Sequence, residues 1–368
     1  MNKLLVQPGD GVLPLVKAIN AAKSSVEIVI FRFNRKEVEK ALANAVNRGI
    51  NVHALIAHTN RRGEESLRAL EMRMLAAGVS VARTADDLVR YHSKFMIIDR
   101  KELFLLSFNF TFLDIEKSRS FAYVTTSPKL VQEACKLFDA DIKRQPYEAG
   151  DPNFVVSPVN ARKELTSLIA GARKQLLIYD LRISDPAMTH LLQQRAKAGV
   201  DVRLIGALPH AQGFFPVRKI DQLRLHTRAI VRDRKLAFIG SQSLRELELD
   251  NRREVGVIFK DPKLVKRLAD TFQQDWDSAD KAKEQEAGGN VDPTAKMAKK
   301  VAKAVAKDLV AVGPVMDTIM NEAAGQGKNV DLDHDEVQEM VKDAVKEAVR
   351  EVVASVMEES AQKTEAAK

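Results

Sequence analysis

Two histidines sit in the same short pattern. The first copy runs His92-x-Lys94-x4-Asp99, the second His226-x-Arg228-x4-Asp233. Imidazole exchanges protons near neutral pH and, when neutral, is a nucleophile. Side chains alternate across a strand, so a cation two residues on shares the histidine's face. An imidazole beside a fixed cation suits phosphate chemistry, supplying a nucleophile or acid together with donors for the phosphate oxygens. His92, Lys94, His226 and Arg228 are therefore the candidate catalytic residues. Asp99 and Asp233 follow at the opposite parity and at the strand end, so they are expected to support the site rather than touch substrate. The chain has seven His. One accidental match is expected at a frequency on the order of 0.1, and two at repeat-equivalent positions well below about 0.01. The competing reading is a duplicated but inert hairpin.

An apolar return strand follows each pattern, Leu103–Asn109 and Leu236–Ser243. A turn centred between Arg100 and Lys101 sets Asn109 opposite His92 and Ser107 opposite Lys94. The second copy then sets Ser243 opposite His226 and Ser241 opposite Arg228. Each hairpin would present imidazole, cation and hydroxyl or amide groups on one face. Asn109, Ser107, Ser241 and Ser243 are thus the expected phosphate-binding set. The turn lacks the usual Asn-Gly signal for its register.

The positioning elements repeat as well. IVIFRFNRKEVEKALANAVNRGINVHALI from Ile28 matches IYDLRISDPAMTHLLQQRAKAGVDVRLI from Ile178. Each reads as apolar strand, helix, glycine and second strand, a β–α–β unit with parallel strands. Val38, Leu42, Ala45 and Val46 recur at helical spacing, as do Met188, Leu191, Leu192 and Ala196. Gly49 and Gly199 stand at the helix ends. The histidine blocks resume the repeat at an offset of 134 residues, from Tyr91 and Leu225. Two similar α/β domains follow, residues 1–147 and 152–278, with mixed sheets flanked by helices and a pseudo-twofold relation. QPYEAGDPN links them. Arg32 and Arg182 end equivalent strands and read either as a symmetric pair steering phosphate or as ordinary surface ion pairs. Trp276 reads as packing.

At these residues the chain resembles the phospholipase D superfamily, whose signature is a duplicated His-x-Lys-x4-Asp followed by Gly-Ser-x-Asn. The resemblance spans about residues 1–278. It implies two α/β domains meeting at one site, a phosphohistidine intermediate, and no metal or other cofactor. Carried over, His92 resembles the nucleophile and His226 the general acid, with the two exchanging roles between half-reactions. Lys94, Arg228 and Asn109 would hold phosphate oxygens. Glu254 fits a supporting Glu that the family often places near the histidine, whereas the first copy has Ser120 there. Arg228 replaces the second Lys, Ser243 the second Asn and Leu106 the first Gly. Arg keeps a fixed charge and can hold phosphate bidentately.

Composition narrows the partners. Of 368 residues, 45% are hydrophobic and 29% charged, an ordinary globular balance that excludes collagen, a disulfide scaffold and wholesale disorder. Cys135 is the single cysteine, which reads as a reducing compartment. No apolar run approaches the ~20 residues of a membrane span, and no signal peptide is expected at the start. A cytoplasmic chain, soluble or peripheral at the membrane, is the expectation. Residues 1–278 hold 45 Lys/Arg and 32 Asp/Glu, whereas residues 279–368 hold 13 and 18. A basic body suits anionic partners. No His or Cys spacing marks a metal site.

The acidic segment 279–368 reads as a helical tail. Lys296–Val312 and Asp335–Met357 are amphipathic, expected to dock on the body or self-associate. DLDHDE resembles a calcium loop but lacks its glycine and closing glutamate, so Asp333 or Asp335 reads as a helix cap.

Three functions stay open. The first is a phosphodiester hydrolase or phosphatidyl transferase acting on phospholipid, as in phospholipase D or cardiolipin synthase. The second is a nuclease of the same superfamily acting on DNA or RNA. The third is an inert phosphate-binding scaffold, supported by Arg228 and Ser243.

Overall fold

In the computed structural model, alternation along the strands decides which way each side chain goes. Phe95, Ile97, Leu103 and Leu105 enter one core, while their neighbours Met96, Ile98, Phe104 and Leu106 enter another. The second half repeats this, with Ala229, Val231, Ala237 and Ile239 in the shared core and Ile230, Leu236 and Phe238 on the far face. Both faces of each sheet are therefore covered. The structure describes residues 2–58, 64–208, 213–220 and 222–288. The two helices expected at Lys296–Val312 and Asp335–Met357, and the DLDHDE segment, lie outside the described residues.

The first half runs β1 (Lys3–Gln7), α1 (Leu13–Ala21), β2 (Ser25–Ile30), α2 (Lys36–Asn47), β3 (Asn51–Ile56), α3 (Glu64–Ala76), β4 (Ser80–Arg83), β5 (Arg90–Tyr91), β6 (Phe95–Ile98), β7 (Glu102–Leu106), α4 (Phe112–Glu116), β8 (Ser118–Thr125) and α5 (Pro128–Lys143). The second runs β9 (Phe154–Ser157), α6 (Ala161–Ala170), β10 (Gln175–Asp180), α7 (Pro186–Lys197), β11 (Asp201–Gly206), β12 (Val217–Arg218), β13 (Arg224–Leu225), β14 (Arg228–Arg232), β15 (Leu236–Gly240), α8 (Glu246–Asp250), β16 (Arg252–Phe259) and α9 (Pro262–Gly288).

Two mixed eight-stranded sheets result, in the orders β1-β8-β7-β6-β2-β3-β4 and β12-β11-β10-β14-β15-β16-β5, with β13 and β9 added at β8 and β16. The β–α–β units form as read, with β2 parallel to β3 and β10 parallel to β11. Gly49 and Gly199 adopt φ of 80° and 84°, the left-handed region where a side chain is strained. Helices α1, α2 and α3 cover the outer face of the first sheet, and α6 and α7 that of the second. The shared core is closed by α5 and α9, where Trp276 stacks on Phe272 at 5.6 Å. Both halves belong to one packed unit that ends at Glu284.

Each half lends a short strand to the other. Arg90–Tyr91 pairs in parallel with Arg252–Arg253, and Arg224–Leu225 with Ser118–Arg119. The chain then crosses back to its own sheet at β6 or β14.

The hairpin register differs from the sequence expectation by one residue. Phe95 pairs with Leu105 and Ile98 with Glu102, which centres the turn on Arg100. Arg228 pairs with Gly240 in the second hairpin, not with Ser241. The cause is a three-residue loop. Asp99 and Arg100 both take positive φ (54° and 52°), as do Asp233 and Arg234, each at 53°. The return strands also stop at Leu106 and Gly240, so Ser107, Asn109, Ser241 and Ser243 stand beyond the ladder.

The aspartates hold these turns. Asp99 accepts hydrogen bonds from the backbone N–H groups of Lys23, Ser24 and Ser25 at 2.7–3.0 Å. Asp233 does the same for Arg173, Lys174 and Gln175. Burial opposes ionisation, but the backbone donors win and hold both carboxyls below the usual range. This stabilisation is present above the ordinary carboxylate pKa and is lost as pH falls through the lowered one. Asp99→Ala removes a shared acceptor from amides that water can reach and is expected to cost about 1 kcal/mol, read from the denaturant midpoint. An unchanged midpoint would show that the turn holds without it.

Candidate active site

The strand exchange puts both histidines at the seam. His92 N–H donates to Arg253 O at 2.8 Å, and His226 N–H to Arg119 O at 3.1 Å. Each histidine stands where the chain leaves the neighbouring sheet for its own. His92 and Lys94 lie just before β6, His226 just before β14 and Arg228 at its start.

All four are buried. His92 Nδ1 lies 3.0 Å from both Glu254 oxygens. The Glu254 carboxylate is 0% exposed, so the ring is held by a fixed anion from the other half. With the proton on Nδ1, Nε2 keeps its lone pair. Phe31 meets the imidazole edge-on at 4.6 Å. Burial first, then Lys94, Arg228, Arg90 and Arg252, hold His92 well below the usual histidine range.

His226 mirrors this with a different acid. Its Nδ1 lies 3.5 Å from Asp114 Oδ2, within ion-pair distance but outside hydrogen-bond alignment. Asp114 also accepts from the Asn109 N–H, Asn109 Nδ2 and Arg224. Burial works against its ionisation, yet His226, Arg224 and Asn109 bring it down to about 2. Burial holds His226 well below its ordinary range, with Asp114 opposing and Arg224, Arg228 and Lys94 adding.

The cations point to one shared site. Lys94 and Arg228 each depress both histidines. Lys94 Nζ donates to His92 O at 2.6 Å, which leaves two N–H donors. Its pKa is pushed down to about 7, mostly by burial; Arg228 and Arg32 add to this, while Glu254 and Asp114 oppose it. Arg228 Nε donates to Ser243 Oγ at 3.0 Å, so the two departures from the family pattern support one another. Asn109 gives one Nδ2 hydrogen to Asp114 and keeps the other.

Other expected residues are placed elsewhere. Ser107 and Ser241 are spent on the sheet, their hydroxyls accepting from Phe121 N–H and Val255 N–H. The one-residue register shift and the early strand ends account for this. Arg32 and Arg182 are not equivalent. Arg32 stacks 5.6 Å from the Phe31 ring and acts on Lys94, whereas Arg182 is exposed. Among the described residues no cluster of three His, Cys, Asp or Glu could hold a metal ion.

Sequence reasoning missed Asp114, Arg224, Arg90, Arg252 and Glu248. A signal existed. The 134-residue offset that aligns the histidines also aligns Asp114 with Glu248 and Arg90 with Arg224.

Comparisons with known proteins bear on the family and the fold. The family described as "Cardiolipin synthase, PLD-like domain" matches residues 15–142 and again 165–276. A mitochondrial cardiolipin hydrolase of Danio rerio is 28% identical over 130 residues, 34% of this chain and 56% of that protein. Polyphosphate kinase from Porphyromonas gingivalis superposes with a TM-score of 0.63 at 21% identity, over 75% of this chain and 50% of the other. Phosphatidylserine synthase of Haemophilus influenzae gives 0.59 at 12% identity, over 76% and 86%. These two superpositions show the fold alone. The chain spans about half the length of the curated relatives it matches.

Lys94 sets a pH dependence. Its charge is present below about 7 and is lost as pH rises through that value. Dimethyl phosphate keeps one negative charge throughout, so its affinity is expected to fall about tenfold between about pH 6 and 8. Lys94→Arg should flatten that fall, because guanidinium stays charged. Calorimetry showing no pH dependence in the unmutated chain would contradict this.

Proposed function

The chain belongs to the phospholipase D-like family, and from that premise we propose that it is a phosphodiester hydrolase or phosphatidyl transferase acting through a phosphohistidine, with phospholipid as substrate. The carrying observation is the crossed arrangement of two buried histidines, one held by Glu254 and one beside Asp114, around Lys94 and Arg228.

The steps follow from that arrangement. Lys94, Arg228 and the Asn109 amide hold the phosphate oxygens. The neutral His92 attacks phosphorus through Nε2, and a P–N bond forms as the bond to the leaving oxygen breaks. The entering anion offsets the surrounding cations and raises the pKa of His226, which then gives its proton to the leaving alkoxide. Water or a second alcohol follows. His226 takes its proton, the new P–O bond forms, and His92 is released. Glu254 stabilises the charge that develops on His92.

The substrate class rests on the rim. Phe112 and Leu113 open α4, on the same short helix as Asp114, and stand 52% and 48% exposed. The Arg35 guanidinium lies 5.8 Å from the Phe112 ring. Arg35 is itself held by Glu37 and Glu116, so the exposed apolar pair carries the reading, and it suits acyl chains. The Danio rerio relative's name, cardiolipin hydrolase, points the same way. Contact would be peripheral, since among the described residues no helix is long and apolar enough to cross a membrane. The nuclease reading draws on the basic excess of residues 1–278.

Phospholipid vesicles and DNA, each incubated with the chain in EDTA, test this. Lipid turnover is expected, with His92→Ala lowering it at least about 10³-fold. DNA cleavage instead would keep the chemistry and overturn the lipid assignment. Silence on both substrates would favour the scaffold. In a separate assay, Glu254→Gln should lower turnover about 10²–10⁴-fold while the circular dichroism spectrum stays native.

A further inference from the structure

Each arginine whose carbonyl holds a histidine is itself held by the other half. Arg253, on β16, accepts the His92 N–H through its carbonyl at 2.8 Å. Its guanidinium meets Asp141, on α5 of the first half, at 3.2 Å and donates to Ser157 O at 3.3 Å. Arg119, on β8, accepts the His226 N–H at 3.1 Å. Its guanidinium donates to both oxygens of Asp275, on α9 of the second half, at 2.7 and 2.9 Å, and to Gln7 O at 2.7 Å. The 134-residue offset that aligns the histidines also aligns Arg119 with Arg253 and Asp141 with Asp275. Asp141, Asp275 and Arg253 are buried. A buried ion pair adds little net stability, because taking both charges out of water offsets most of their attraction. It does fix the relative position of the elements that carry it. Here those elements are the strand each histidine leans on and the closing helix of the opposite half.

The two clamps differ in tightness. Arg119–Asp275 is bidentate, and Asp275 also accepts from Tyr179 OH at 2.6 Å. Arg253–Asp141 lies outside hydrogen-bond alignment, since Arg253 Nε and Asp141 Oδ1 are buried without a hydrogen-bond partner. The Arg253 guanidinium also lies 5.6 Å from the ring of Tyr91, the residue before His92. Asp141 is faced by Arg253 from β16, by Asp87 and Tyr91 from β5 and its approach, and by Tyr147 from the linker. Burial pushes Asp141 up to about 6, against Arg253 and with help from Asp87. Its charge is therefore present above that value and lost below it.

We propose that Asp141 and Asp275 are positioning residues, each setting one histidine through an arginine that reaches across the seam: Asp141 through Arg253 for His92, and Asp275 through Arg119 for His226. The kinetic consequence rests on the phosphodiester reading, whereas the clamping itself does not.

Hydrogen exchange on the whole chain, made with isotope-labelled histidine, tests the clamps without turnover. Seven backbone amides then report, and His53, inside the β3 ladder, is the reference. Asp141→Asn keeps the shape and removes the charge. It is expected to speed exchange at His92 at least about tenfold relative to His53 and to leave His226 unchanged. Asp275→Asn should do the reverse. Arg253→Lys should protect His92 better than Arg253→Met does. Equal acceleration at His53 and His92, or none at either, would overturn the proposal. Turnover of bis(p-nitrophenyl) phosphate adds a kinetic arm. Asp141→Asn should lower kcat about tenfold or more and hold KM within about twofold, because Lys94, Arg228 and Asn109 stay in place. The unmutated chain should lose kcat as pH falls below about 6, and Asp141→Asn should lack that limb. A variant that raises KM at unchanged kcat, or that keeps the acid limb, would count against the positioning role. Exchange that responds as expected in a chain that turns over no diester would fail the phosphodiesterase reading and leave the clamps standing.

Discussion

Two backbone hydrogen bonds carry the architecture of the site, His92 N–H to Arg253 O and His226 N–H to Arg119 O. Each ties a reactive side chain to the sheet of the opposite half. A strand ladder constrains its residues far more tightly than a loop does, so the imidazoles inherit the rigidity of two sheets at once. The same crossing brings Glu254 under His92 and Asp114 beside His226. Neither half holds a complete imidazole–carboxylate pair alone.

Burial then sets the electrostatics. Burial and the neighbouring cations hold both histidines below their ordinary range and bring the Lys94 pKa down to about 7. In the proposed mechanism an entering phosphate supplies a counterion. Its arrival strengthens every cation around it, so binding and activation are linked through one field. The enclosed carboxylates orient the rings.

Much of this was legible in the residues. The β–α–β periodicity, the glycine stops and the duplicated histidine blocks follow from local pattern, and Glu254 from family resemblance. The register was not legible, because Asp99 and Arg100 adopt left-handed backbone that no Asn-Gly signal announced. Ser107 and Ser241 consequently serve the sheet. The exchanged strands were invisible for another reason. Arg90–Tyr91 and Arg224–Leu225 are two residues long, too short to show any period. Asp114 escaped notice because it lies on a one-turn helix away from the strand pattern, although its alignment with Glu248 was available. The acidic tail's periodicity concerns residues outside those described.

The peptide linking the halves has a consequence for how such a site diversifies. In a symmetric pair of identical chains, any substitution appears on both sides of the shared site, and an arginine installed on one flank would displace the serine on the other. Covalent tandem arrangement lifts that restriction. Position 118 keeps the small hydroxyl that lets Arg224 reach Asp114, while position 252 carries a guanidinium. One chain can thus assign attack and proton transfer to different flanks and tune each to the part of the substrate it meets.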